Sequence, residues 1–421
     1  MHIVFVIPRF YPYRGGYENS ILSLAKYLVQ HGHRATVFTT TANDLEAFWL
    51  PGFKTFPHEQ LSVDGVTVRR FAIDYNATVR RATRLLGLTP YWRWKAQHWR
   101  PSFRVRGLAD ALRTVDADLI HVGPLPYNSL MYAGLRAGEL RGIPLVATPC
   151  SHLGEPGSDA VRQHYLQPHQ VELLRHCNRV FCMTATERDH LRALGLAEEK
   201  LAVTPFGIDL QNATGGNPDF LRQKYGVDGP VVLHVGMKAY EKGSETLLEA
   251  MKLLWARGSG AHDESRGSTW RGGRSNAWLV MAGPSLSTFD TFIASAGANC
   301  PHLLNLPPFA EEEKRDLLAS ATIVAQPSRV ESLGLVLIEA WANRKPVVAA
   351  GIEVSRELIR ASGGGVTVPF GDAQRLAQEL ERLLQDPAAR ERMGTSGHQK
   401  AMEYAGDAPW QRIAAQLEAL S

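Results

Sequence analysis

Short apolar runs, mostly β-branched, recur along the first 200 positions of the chain. IVFVI (3–7), ATVFTT (35–40), DLIHVG (118–123), PLVATPC (144–150) and RVFCMT (179–184) are the strand-like ones. Helical patterns separate most of them. In ENSILSLAKYLVQHG, Ile21, Leu24, Ala25 and Leu28 recur at i, i+3, i+4 and i+7, which puts them on one helix face, and Gly32 supplies a stop. Strands alternating with helices predict an α/β fold with a doubly wound parallel sheet.

A second series follows with the same rhythm: PVVLHVG (230–236), WLVMAG (278–283), HLLNLP (302–307), TIVAQPS (322–328) and PVVAAG (346–351). Most of these runs are continuously apolar rather than alternating, as expected of strands buried on both faces beneath helices. PFGIDLQNATGGN (205–217) is rich in Pro, Gly and Asn and marks the boundary between the two series. The expected organisation is a domain over residues 1–205, a second over 206–400, and a C-terminal helix within 401–421 packing back toward the first. Ligands of such sheets sit beyond the carboxyl ends of the strands, so two of them predict a crevice served by both.

Two stretches interrupt the rhythm. Residues 257–277, RGSGAHDESRGSTWRGGRSNA, show no apolar face and read as a surface insertion. Tyr75 to Ala109 holds eight Arg or Lys residues and no Asp or Glu, with Tyr91, Trp92, Trp94 and Trp99 among them. That combination of cations and amphipathic rings suits the headgroup region of an anionic membrane; the competing reading is a clamp for an acidic soluble acceptor.

Composition narrows the class without changing the picture. With 421 residues the chain exceeds what one core supports, and 44% apolar with 21% charged residues is ordinary globular usage. A formal charge of +4 is mild for this length and gives no reason to expect nucleic acid. Cys150, Cys177, Cys182 and Cys300 lie scattered in apolar stretches, without metal-site or disulfide spacing. The N-terminal apolar run is too short for a signal peptide, so a cytoplasmic location is expected, with a peripheral place on the inner membrane face if Tyr75 to Ala109 binds lipid.

Candidate chemistry concentrates in QPSRVESLGLVLIEAWANRKPVV (326–348). A strand ends near Ser328 and a helix is expected to begin around Ser332 to Gly334, where backbone N–H groups without intrahelical partners suit a phosphate. Glu331 and Glu339 are eight residues apart, about 12 Å along a helix, well beyond the spacing of a hydrolytic carboxylate pair. They suit the two ends of an extended ligand instead. Gly15 and Gly16 let backbone approach a phosphate closely. Asp116 and Asp118 form a D-x-D that immediately precedes a strand, which reads as a turn rather than a metal site.

Glu331 to Glu339 followed by EAWANRKPVVA resembles the E-x7-E signature of the retaining glycosyltransferases of family 4, which have the GT-B fold. RGGYEN (14–19), TERDHLRALG (186–195), PFGID (205–209), VGMKAYEKG (235–243) and the closing PW (409–410) resemble other family segments in the same order. The resemblance implies transfer of a sugar, with retention, from a nucleotide-diphosphate sugar to an acceptor that the sequence does not identify, with no cofactor and no metal. It implies that Glu339 binds the donor ribose, Glu331 lies beside the transferred sugar, and the backbone of Ser332, Leu333, Gly334 and Leu335 holds the diphosphate. Lys242 is implied as the cation on that diphosphate, against the plainer reading of a solvated lysine, and His152 as a contact to the donor sugar. Glu18 is left open between an acceptor contact and a helix cap.

The sequence also departs from the family. Met237 stands where an arginine is usual, leaving Lys238 as the candidate substitute, and Phe206 stands where an asparagine is usual. These changes keep a second reading in view, a GT-B partner subunit that binds sugar nucleotide without turning it over. A dehydrogenase is excluded by the absence of G-x-G-x-x-G after a strand.

Overall fold

The computed structural model describes residues 1–13, 15–48, 51–75, 103–157, 159–257 and 276–420. Most of the basic aromatic stretch (residues 76–102) and of the polar insertion (residues 258–275) lies outside the described residues. The chain divides into two compact units, one of Met1–His152, Arg162–Gly207 and Asp407–Ser421, the other of Leu153–Val161 and Ile208–Gly406.

The first unit is built from β1 (His2–Val6), β2 (Arg34–Thr40), β3 (Gln60–Val63), β4 (Val66–Phe71), β5 (Ile73–Asp74), β6 (Arg104–Val105), β7 (Leu119–Val122), β8 (Leu145–Ala147), β9 (Arg179–Cys182) and β10 (Leu201–Val203). Eight of them form one sheet in the order β10-β9-β8-β7-β1-β2-β4-β3, while β5 and β6 pair separately. All neighbours in the sheet are parallel except β3 and β4, which form an antiparallel hairpin. Asp64 and Gly65 both take positive φ between those strands, as a two-residue primed turn requires.

Every residue of β1 is buried, and the side chains of Ile21, Leu24 and Leu28 on helix Gly16–Gln30 are also fully buried. Burial of each such side chain is worth about 1.5–3 kcal/mol, so the helix is held by that stripe rather than by its caps, since Gly15 offers no side-chain cap. Helix Ala408–Glu418 returns to this unit, where Trp410 lies 6.4 Å from Phe206 and the Phe206 ring meets Tyr17 edge-on at 5.8 Å. Phe206, which replaces the usual asparagine, is thus an aromatic core residue, 3% exposed.

The second unit contains β11 (Val231–Val235), β12 (Trp278–Ala282), β13 (Leu303–Leu306), β14 (Ile323–Gln326), β15 (Val347–Ala350) and β16 (Gly365–Val368). They form one parallel sheet in the order β13-β12-β11-β14-β15-β16. Counted from β11 this is the dinucleotide-fold order 3-2-1-4-5-6, whose ligand point lies beyond the adjacent carboxyl ends of the first and fourth strands. Its core joins Val232, Leu279, Met281, Ile323 and Val348 from the sheet to Leu247, Met251 and Leu254 on helix Ser244–Arg257 and to Leu376, Leu380 and Leu383 on helix Ala373–Gln385. Among the described residues no helix is long and apolar enough to cross a membrane.

Candidate active site

In the second unit the loops after β11 and β14 meet at the ligand point. The first runs from Gly236 to Gly243 and the second from Pro327 to Gly334. Gly243 takes φ 73°, and a Cβ there would strike the Pro327 carbonyl, so glycine is what lets the loops touch. The Arg329 N–H donates to the Glu241 carbonyl at 3.0 Å, and the Arg329 guanidinium pairs with the Glu241 carboxylate at 3.0 Å.

On this seam lie two expected site residues. Lys242 donates from Nζ to Glu331 Oε1 and to the Val330 carbonyl, each at 2.8 Å. Their side chains are 24% and 16% exposed, so the pair is partly shielded from water yet accessible from one side. Helix Leu335–Ala342 begins three residues later than the earliest expected start, because Gly334 takes φ 78° and acts as its N-cap. Glu331 therefore belongs to the loop, and only Glu339 is on the helix.

Glu339 accepts from Lys314 Nζ at 2.8 Å, with both side chains about one-eighth exposed. Lys314 comes from helix Glu311–Ser320 and had no signal in the sequence beyond its place in a charged run. Lys238 points inward. It is 2% exposed, and its Nζ donates to Asn305 Oδ1 and the Leu306 carbonyl, both at 2.7 Å. Burial pulls its pKa down to about 8. The ammonium thus ties the loop after β11 to the end of β13.

Below the seam His234 is fully buried on β11, and burial lowers its pKa to about 4. Its Nδ1 donates to the Ala325 carbonyl at 3.2 Å, which leaves Nε2 to accept from the Ser244 hydroxyl at 3.2 Å. Ser244 Oγ in turn accepts the Ala239 N–H at 3.2 Å. This chain of bonds closes the loop that carries Lys242.

In the first unit Gly15 and Gly16 open helix Gly16–Gln30 after β1. A Cβ on Gly15 would collide with Glu18 Oε2, because the Glu18 carboxylate folds back over the helix start. Glu18 is 7% exposed and lies 3.7 Å from Arg9, and its burial raises its pKa. His152 follows β8, with its ring edge-on to Tyr165 at 4.3 Å. Asp118 accepts the His2 N–H at 2.6 Å and Asp116 pairs with Arg34 at 2.9 Å, so both carboxylates of the D-x-D serve local structure. None of the four cysteines is in a disulfide.

Two Rossmann-like units of this kind define the GT-B class. Consistent with that, the fold matches Anabaena HepE in complex with UDP and glucose at a TM-score of 0.70, covering 99% of both chains at 20% identity. Residues 15–207 match a glycosyl transferase 4-like domain and residues 218–400 match the glycosyl transferases group 1 model. The chain belongs to the group 1 glycosyltransferases, family 4, whose members act with retention. It is 31% identical to D-inositol 3-phosphate glycosyltransferase of Frankia alni over 56% of this chain and 57% of that protein, so the match spans about half the relative's length. Over 99% of this chain and 95% of the relative it is 24% identical to phosphatidyl-myo-inositol mannosyltransferase of Mycobacterium leprae.

Proposed function

We propose that the protein transfers a sugar, with retention, from a nucleotide-diphosphate sugar to an acceptor hydroxyl and needs no metal to do so. The observation that carries this reading is the seam at the ligand point of the second unit, where Lys242 and Glu331 meet at 2.8 Å just ahead of the helix that bears Glu339. The N–H groups of Ser332, Leu333, Gly334 and Leu335 suit the diphosphate, and Lys242 supplies the cation that stabilises it as it leaves with growing charge. Glu339, held by Lys314, takes the ribose hydroxyls in this reading, as the family resemblance implies. Lys238 keeps the loop after β11 in place instead of reaching the phosphates.

His152 contributes a contact to the donor sugar, and Gly15 with Gly16 gives close backbone approach on the side of the first unit. No protein nucleophile is required, because the departing diphosphate takes the acceptor proton on the face it leaves. The acceptor of this chain is a polyol, glycan or lipid-linked alcohol, in keeping with the inositol phosphate and phosphatidylinositol named for its relatives. A cytoplasmic place beside an anionic membrane, reached through Tyr75 to Ala109, fits the lipid-linked case. Phe206 is accounted for by core packing, which removes one of the two reasons for reading the chain as a non-catalytic partner.

The test is thermal unfolding with UDP-glucose, UDP-N-acetylglucosamine and GDP-mannose, followed by nucleoside diphosphate release from whichever stabilises. A specific donor raises the midpoint by mass action. No stabilisation by any nucleotide sugar would refute the reading, and stabilisation without turnover would favour the non-catalytic partner.

A further inference from the structure

TERDHLRALG takes no part in the proposed chemistry, yet it contains a carboxylate withdrawn from solvent. Glu187 is completely buried. It is the third residue of helix Ala185–Ala193, and its own N–H donates to the capping Thr184 hydroxyl at 3.1 Å. Its carboxylate turns away from the helix. Oε1 accepts the N–H of Ser151 at 2.6 Å, and Oε2 accepts the N–H of Met183 at 2.7 Å. Charge-assisted bonds of this kind offset the cost of burying a carboxylate, and the helix N-terminus favours its negative charge.

The backbone it grips needs gripping. Cys150, directly before Ser151, takes φ 48°, a left-handed conformation that a residue with a side chain holds only where its surroundings over-determine it. The next residue is His152. The turn at Cys150 and Ser151 thus aims the imidazole, and the Glu187 carboxylate fixes the turn to the end of β9, across 36 residues of sequence.

We propose that Glu187 is a positioning residue for His152, acting on the donor sugar only through the Ser151 backbone. The proposal rests on His152 touching the donor. A glutamine at 187 offers one acceptor where two N–H groups must be met, and its NH2 would face the other donor. The turn then loses one of its anchors while side-chain volume is unchanged.

The experiment compares Glu187→Gln, His152→Ala and the double variant. The probe is nucleoside diphosphate release from the stabilising donor with water as acceptor, together with nucleoside diphosphate affinity by calorimetry. Ring 15N resonances of His152 are recorded as well, identified by their loss in His152→Ala. Glu187→Gln is expected to lower kcat about tenfold, leave nucleoside diphosphate affinity unchanged, shift the His152 resonances and cost nothing further when added to His152→Ala. Wild-type turnover in Glu187→Gln, or a second full loss on top of His152→Ala, would overturn the proposal. Should the wild type bind no nucleoside diphosphate and release nothing from any donor, the transferase reading falls by itself. The His152 resonances then decide this inference, a shift supporting it and unmoved signals overturning it. Should Glu187→Gln not fold, Glu187→Asp keeps the charge but reaches less far, and the same measurements apply with a smaller expected loss.

Discussion

Replacing Lys242 by alanine tests the proposed chemistry most directly. Its ammonium sits 2.8 Å from Glu331 Oε1, so the variant deletes one positive charge from the seam and leaves a carboxylate behind. In the transition state the leaving diphosphate gains nearly one negative charge. A cation about 4 Å from that charge is worth about 4 kcal/mol at an effective dielectric constant of ~20. The Lys242 side chain is 24% exposed, and solvent screening reduces that figure by about half. Roughly 2 kcal/mol remains, which predicts a loss of about 30-fold in kcat/KM for the donor. Uncompensated Glu331 adds repulsion on top of that loss. The partly exposed ion pair contributes about 1 kcal/mol or less to folding, which for a unit of this size moves the melting point by only a few degrees. Initial-rate kinetics beside thermal unfolding separate the two effects. A kcat/KM within about twofold of wild type, in a folded variant, would refute the assignment of Lys242 to the leaving group.

Treatment with EDTA should leave activity substantially intact, because Lys242 and a helix start supply the positive charge; loss on chelation, restored by Mn²⁺ or Mg²⁺, would contradict this. The burial that holds His234 at about 4, below its ordinary 6.5, means that unfolded chain takes up a proton that folded chain refuses. Stability is therefore full above pH 6.5 and falls as pH drops toward 4, by roughly 3 kcal/mol from this residue at the lower end. His234→Gln should flatten the acid limb of denaturant unfolding, and an unchanged slope would show that His234 is not responsible. Anionic vesicles should sediment the protein at low salt and neutral ones should not, with binding weakened by Arg93→Glu together with Lys95→Glu; absence of binding to anionic vesicles at low salt would remove the membrane role of Tyr75 to Ala109.

Most of the ten strand-like runs are legible because parallel strands buried on both faces leave unbroken apolar stretches. β3 and β4 escaped that reading because β3 is half solvated, although Asp64–Gly65 between alternating residues was a hairpin signal in plain view. β10 and β16 are short edge strands with half-exposed residues, so neither produces a long apolar run. At the site, Glu331 and Glu339 stand out by their place at a helix start and Lys242 by family resemblance, while the partner of Glu339 and the buried Glu187 carry no signal in the sequence. Lys314 lies 25 residues from Glu339 and reads as a solvated charge, and Glu187 sits in a polar helix start that gives no hint of burial. For Lys238, adjacency to Met237 marks a stand-in for the missing cation, whereas the structure shows its ammonium bonded to Asn305 and the Leu306 carbonyl. Neighbouring positions in an irregular loop need not share a direction, and this one turns toward Asn305. Yet the pairing of Lys242 with Glu331, 89 residues apart, follows from one further step. Six parallel strands with right-handed crossovers favour the order 3-2-1-4-5-6, which places the loops after the first and fourth strands side by side. Once the second half is granted that order, a lysine in one loop and a glutamate in the other face the same ligand point, and the sheet topology rather than any local motif brings them together.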